Sequence, residues 1–318
     1  MIKRTPLPVY YKNRENVNWK VPALFHYDDI VFLLLEILNE LGIKHNIESV
    51  YGCVKSRWGG GRPSGWLDID RETAESIIHK HNGNKVSCSF TFSNYRVTEA
   101  DFDDKTANLL LDIANQSSHV NYAIVSSDLL ADYIKSKYPN IKLISSVLKP
   151  MYEIDNCKDT PDYYNKLCEK FDRVVIRPEF AFDNNFLKKL KHKNKIEILV
   201  NQDCILNCPL VRKHYDFHTQ VELGLKDRSE DFCHVAKRKC ESVFNTNLLS
   251  NDDINRIMKL GFKNFKLRGR KFTKEQVIEL IGLYIFEPTG VYQNIKNRIK
   301  LILHGDGAPH FASTAKEL

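Results

Sequence analysis

The chain has 318 residues, 42% hydrophobic and 27% charged, a balance that excludes collagen-like, mucin-like and disordered proteins and fits a globular fold. Its long apolar stretch, Val31 to Leu38, is interrupted by Glu36 and falls far short of the roughly 20 residues of a membrane span, so neither a transmembrane helix nor a membrane partner is expected. The net charge of +7 is compatible with phosphates, RNA or ordinary enzyme chemistry, and Met1-Ile2-Lys3-Arg4 has no apolar stretch behind it, which points to the cytosol.

In chain order, β-branched runs alternate with amphipathic segments. Strands are expected at Ile47–Tyr51, Val86–Phe92, Tyr122–Val125, Lys142–Ser145, Arg173–Ile176, Ile196–Val200 and Asn264–Leu267, with a further one hidden near Ala23-Leu24-Phe25. Helices are expected over Arg71–His81, Asp104–Asn115, Asp128–Lys137, Pro161–Lys170, Asn184–Lys193 and Thr273–Phe286; in the second, Ala107, Leu110, Leu111 and Ala114 recur at helical spacing. This rhythm predicts an α/β protein, a TIM-like (β/α) barrel over residues 1–303 with a cysteine-rich insertion at 204–247 and a flexible tail at 304–318. A doubly wound sheet is the alternative. No glycine-rich dinucleotide fingerprint or phosphate loop follows any strand.

In such a barrel the loops at the carboxyl ends of the strands form the site. Those positions carry Arg62, Asn94, Arg177, Arg268 and Arg270, together with several serines. Serine and asparagine there are ordinarily helix caps and turns. The arginines suit bidentate capture of a carboxylate or phosphate, against the ordinary reading of solvated surface charges.

Eight cysteines in a cytosolic chain argue against a disulfide framework. Cys204, Cys208, Cys233 and Cys240 are crowded into one segment, and four thiolates can close an iron–sulfur or a zinc site. Cys53, Cys88, Cys157 and Cys168 lack short mutual spacing and read as core thiols, except that Cys53 lies at a strand end. His214 and His218, four residues apart, share a helix face and suit acid–base work or contacts behind a metal centre. A radical-SAM arrangement is excluded by Val211 at the third cysteine position.

Two segments resemble the collagenase-like peptidase family U-32. One is Asn201-x-x-Cys204-x-x-x-Cys208-Pro209 with His214 behind it; the other is Phe265-Lys266-Leu267-Arg268-Gly269-Arg270, similar to that family's "LKIEGR" strand. The resemblance implies a TIM-like barrel with a 4Fe-4S cluster on Cys204, Cys208, Cys233 and Cys240, and an association with oxygen-independent hydroxylation rather than proteolysis. Catalytic roles would fall to Asn201, His214 and His218, and substrate contacts to Arg62, Asn94, Arg177, Lys266, Arg268 and Arg270. The expected partners are an anionic small molecule or RNA, and an electron-donor protein. The alternatives are a binding scaffold stapled by zinc or a cluster, and a protease; no GxSxG or HExxH motif supports the latter.

Overall fold

The computed structural model describes residues 14, 16–22, 24–59, 67–153, 159–205, 208–232, 246–269, 272–286 and 290–304. Among these, eight parallel strands form a closed barrel. They are β1 (Asn18–Pro22), β2 (Ile47–Gly52), β3 (Ser87–Phe92), β4 (Asn121–Val125), β5 (Ile141–Ser145), β6 (Arg173–Val175), β7 (Ile196–Leu199) and β10 (Asn264–Lys266). Each of the first six pairs with its successor, β10 pairs with β7, and β1 closes the ring against β10 in the register Lys20↔Lys266.

The first strand lies earlier than the sequence suggests. Leu24 and Phe25 fall in the turn that follows it, Phe25 in the left-handed region at φ 69. Lys20, at the centre of Trp19-Lys20-Val21, disguises the strand because an apolar run is the usual sign of a buried parallel strand. Where β2 ends, Gly52 lies so close to β1's exit that a Cβ would stand 2.2 Å from the Leu24 carbonyl oxygen. Only glycine permits that approach.

The helices follow the strands as amphipathic covers. In α2 (Arg71–Gly83), Ala74 and Ile78 are buried; in α3 (Lys105–Asn115), Ala107, Leu110, Leu111 and Ala114; in α4 (Asp128–Lys137), Leu130, Ala131 and Ile134. Their first turns are closed by Asp70, Asp104 and Ser127, each accepting a backbone N–H three residues on, which stabilises each helix by about 1 kcal/mol. Helices α5 (Lys149–Glu153), α6 (Pro161–Lys170) and α7 (Asn184–Lys189) complete the run to β7. The last of these stops short of the expected Lys193, because Leu190 leaves helical geometry at ψ 121.

After β7 the rhythm changes. β8 (Asn201–Ile205) pairs antiparallel with β9 (Thr246–Leu248), and α8 (Val211–Glu222) follows β8. Helix α9 (Asn251–Lys259), opened by a capping box between Ser250 and Asp253, leads into β10. The described residues divide into two compact units, those within 16–28 and 46–269 with the whole barrel, and those within 29–45, 272–286 and 290–304 together with Arg14. In the second unit, helices Asp28–Glu40 and Gly290–His304 are joined by Arg298 and Glu40, 2.5 Å apart. No helix among the described residues is long and apolar enough to cross a membrane.

The barrel interior is charged. Glu48 of β2 and Arg173 of β6 lie on opposite sides of the strand order and are paired, which only inward-facing side chains can achieve. Lys20 Nζ lies 2.7 Å from Glu197 and Lys266 Nζ 3.9 Å from the same carboxylate, with Lys20 and Glu197 each 1% exposed. Tyr122 lies beneath both Lys20 and Arg173, whose cations sit 5.5 and 5.6 Å from its ring. A layer of Ile124, Ile144 and Val175 packs with Tyr51 in the same interior.

Candidate functional site

The carboxyl ends of the strands enclose a cavity of about 70 Å³. Its walls come from β2 to β7 and β10, including Tyr51, Thr91, Ile124, Val175, Leu199 and Lys266, with Ser93 and Ser146 just past β3 and β5. Arg268 stands two residues beyond Lys266 on the rim, and Gln202 of β8 and Tyr215 of α8 form the roof.

Several contacts hold these groups in place. Tyr51 donates its hydroxyl to the Leu267 carbonyl at 2.9 Å, and the Lys266 ammonium lies 4.0 Å from the Tyr51 ring centroid. Asn201 clamps the neighbouring residue: its Nδ2 donates to the Arg268 carbonyl at 2.7 Å, and its Oδ1 accepts from the Arg268 N–H at 2.6 Å. Gln202 donates to the Tyr215 hydroxyl at 3.2 Å. Helix α8 is fixed on one side by packing of Tyr215 with Leu148 and Met151, and on another by Asp216, which accepts from Tyr95 and Arg96.

Burial pushes the Lys20 amine below its ordinary range against the pull of Glu197. Burial alone would raise the Glu197 carboxyl, but Lys20, Lys266 and Arg173 together hold it below the usual carboxylate range. Glu197 is therefore an anion that organises cations, and Lys266 connects this buried network to the cavity. With Lys266 and Arg268 as the charged lining groups among hydroxyls and an amide, the cavity is suited to an anionic oxygen group. Its volume has room for a carboxylate or phosphate head.

Of the residues expected from sequence, Lys266 and Arg268 line the cavity and Asn201 positions the latter. Arg177 is not in the lining; it pairs with Asp159 at 3.1 Å and with Glu179. Asn94 also stands outside the lining and fastens two loops, donating to the Arg57 carbonyl at 2.6 Å and accepting from Arg96 N–H at 2.8 Å. Arg62, Arg270, Cys233 and Cys240 lie outside the described residues, as does the tail beyond His304. Cys204 is placed on β8 by its backbone, and Cys208 is half-buried ahead of α8. His214 and His218 lie on α8 beside Asp231, away from the cavity lining. Tyr51, Thr91 and Tyr215 were not anticipated; for the first two, a polar group near a strand's carboxyl end was the available signal.

No family model matches the chain, and no curated protein does. Among solved structures, the U32 peptidase Mk0906 superposes with a TM-score of 0.54 at 10% identity, covering 86% of this chain and 100% of its own. The likeness establishes the fold. A second structure, the citrate synthase SbnG, covers 91% of this chain and 94% of its own at 11% identity, with a TM-score of 0.30.

Proposed function

We propose that this protein is a barrel enzyme that grips an anionic group of its substrate, carboxylate or phosphate, between Lys266 and Arg268 and modifies the part of the substrate extending from the mouth. The observation that carries this reading is the small cavity at the strand ends with these two cations in its wall. Lys266 neutralises the incoming charge, while Asn201 sets the backbone from which Arg268 reaches it. The hydroxyls of Thr91, Ser93 and Ser146 offer further donors to the same oxygens.

For the reaction, we infer that Cys204, Cys208, Cys233 and Cys240 hold a 4Fe-4S cluster. Two observations support it: the likeness in fold to a U32 peptidase, and β8, which begins two residues beyond β7 and so carries Cys204 to the mouth end of the barrel, followed by the half-buried Cys208. Such a cluster supplies one-electron redox chemistry when bound, which suits oxygen-independent hydroxylation of an anionic or RNA-linked substrate and calls for an electron donor. A zinc-stapled binding protein is the alternative.

The first test is titration with inorganic phosphate by calorimetry. Binding that weakens at least about tenfold in Arg268→Gln and Lys266→Met, with circular dichroism unchanged, supports the anion site; equal binding in all three proteins refutes it. The second is purification without oxygen and assay of iron and acid-labile sulfide. About four of each per chain, lost in Cys204→Ala and Cys208→Ala, supports the cluster, and stoichiometric zinc without sulfide supports the scaffold.

A further inference from the structure

A cluster of metal-ligating side chains outside the cavity lining is assembled on α8 and the turn that follows it. Helix α8 places His214 and His218 one turn apart, with ring centroids separated by 4.4 Å. His218 is 1% exposed. The third member, Asp231, is delivered by the short 3-10 turn Arg228–Glu230, which carries a capping box between Asp227 and Glu230; the Asp231 N–H donates to the Arg228 carbonyl at 3.1 Å. Phe232 then presents itself edge-on to both His214 and Phe217 at 5.9 Å, holding this stretch of chain against α8.

The result is compact. Asp231 Oδ1 lies 3.4 Å from His214 Nε2, and one donor atom from each of the three residues lies within 4.8 Å of the others. Ligands bonded to zinc at 2.0–2.1 Å are about 3.4 Å apart along a tetrahedral edge, so the His214–Asp231 pair already has that spacing and His218 closes with a small side-chain rotation. We propose that His214, His218 and Asp231 bind a divalent first-row transition ion such as zinc. Two neutral imidazoles and one carboxylate give a singly negative set, complementary to a dication in a half-buried setting where its charge is poorly screened. Three protein ligands leave a coordination position open, and Tyr215, which adjoins His214 in the helix, lines the substrate cavity. The three ligands include no thiol.

The test uses the full chain with Cys204, Cys208, Cys233 and Cys240 changed to Ser, stripped with chelator and titrated with zinc by calorimetry and with cobalt by absorption. The expected result is about one ion per chain, cobalt d–d bands without thiolate-to-metal charge transfer, and binding at least about tenfold weaker in His218→Gln and Asp231→Asn. No binding, or binding that both substitutions leave unchanged, overturns the proposal. Should the four-serine chain fail to fold, the same two substitutions are made in the native chain. There, loss of the nitrogen–oxygen cobalt bands with any thiolate band retained supports the site, and unchanged spectra overturn it. Acid-labile sulfide reports separately on the cluster, so either idea can fall without the other.

Discussion

Removing the carboxylate at the centre of the barrel tests the charged interior most directly. Glu197→Gln keeps the side-chain shape but leaves Lys20 and Lys266 facing a neutral amide. At an effective dielectric of about 20, the contacts at 2.7 and 3.9 Å correspond to attractions of about 6 and 4 kcal/mol before desolvation is deducted. Ionising Glu197 in a dry interior costs several kcal/mol, which the substitution relieves, so the expected net loss is about 3–5 kcal/mol. That corresponds to a fall in thermal midpoint of about 6–20 °C for a unit of this size. Urea unfolding at neutral pH, followed through the buried Trp19 and Trp58, measures it. Lys20→Met should be destabilising as well, and the double variant should lose less than the sum by about 1–3 kcal/mol, because the second substitution removes an already unpaired charge. A loss under about 1 kcal/mol for Glu197→Gln, or strict additivity, would refute the coupled buried network. The pH dependence carries a definite sign. The Glu197 carboxyl is depressed in the fold, so its contribution is present above the ordinary carboxylate value and is lost as pH falls through the lower folded value. Wild type should therefore show a steeper acid destabilisation than Glu197→Gln.

Further outcomes follow from particular contacts. Gly52→Ala places a methyl against the Leu24 carbonyl and should cost at least about 1–3 kcal/mol, read as a lowered melting midpoint or loss of soluble protein. Asn201→Ala removes both hydrogen bonds to the Arg268 backbone, with an expected stability loss of about 1–3 kcal/mol and weaker phosphate binding; unchanged affinity would show that Arg268 needs no such clamp. Among the described thiols of the chelator-stripped protein, iodoacetamide at neutral pH should alkylate half-buried Cys208 ahead of buried Cys53, Cys88 and Cys168, as mass spectrometry can establish. Burial pushes Cys88 upward and Cys168 to about 11, so both are poorer in thiolate as well as shielded.

Local pattern carried the architecture. The alternation of short strands with helices such as Ala107–Leu110–Leu111–Ala114 requires a parallel sheet covered by helices, since parallel strands need crossovers and helices need a sheet to cover. The caps at Asp104 and Ser127 were equally local. Lys266 of β10 lines the cavity, whereas Arg177 and Asn94 stand outside its lining, because their partners, Asp159 and Glu179 for one and the Arg57 and Arg96 backbone for the other, are set by how loops fold back.

The sequence by itself determined the alternating α/β elements, because hydrophobic period and helix-cap chemistry are properties of neighbours along the chain, whereas closure of the sheet rests on β1 meeting β10. Only the tertiary structure decided which face of each strand turns inward. A lysine or glutamate flanked by apolar residues, as in Trp19-Lys20-Val21 and Ile196-Glu197-Ile198, ordinarily marks a strand's solvent side. In a closed barrel wrapped by helices the outer face is the apolar one, so these charges are enclosed and must find one another across the interior. The same holds for His214, His218 and Asp231: the helical spacing of the two histidines is written in the chain, but the carboxylate that joins them arrives through a turn whose path packing alone sets.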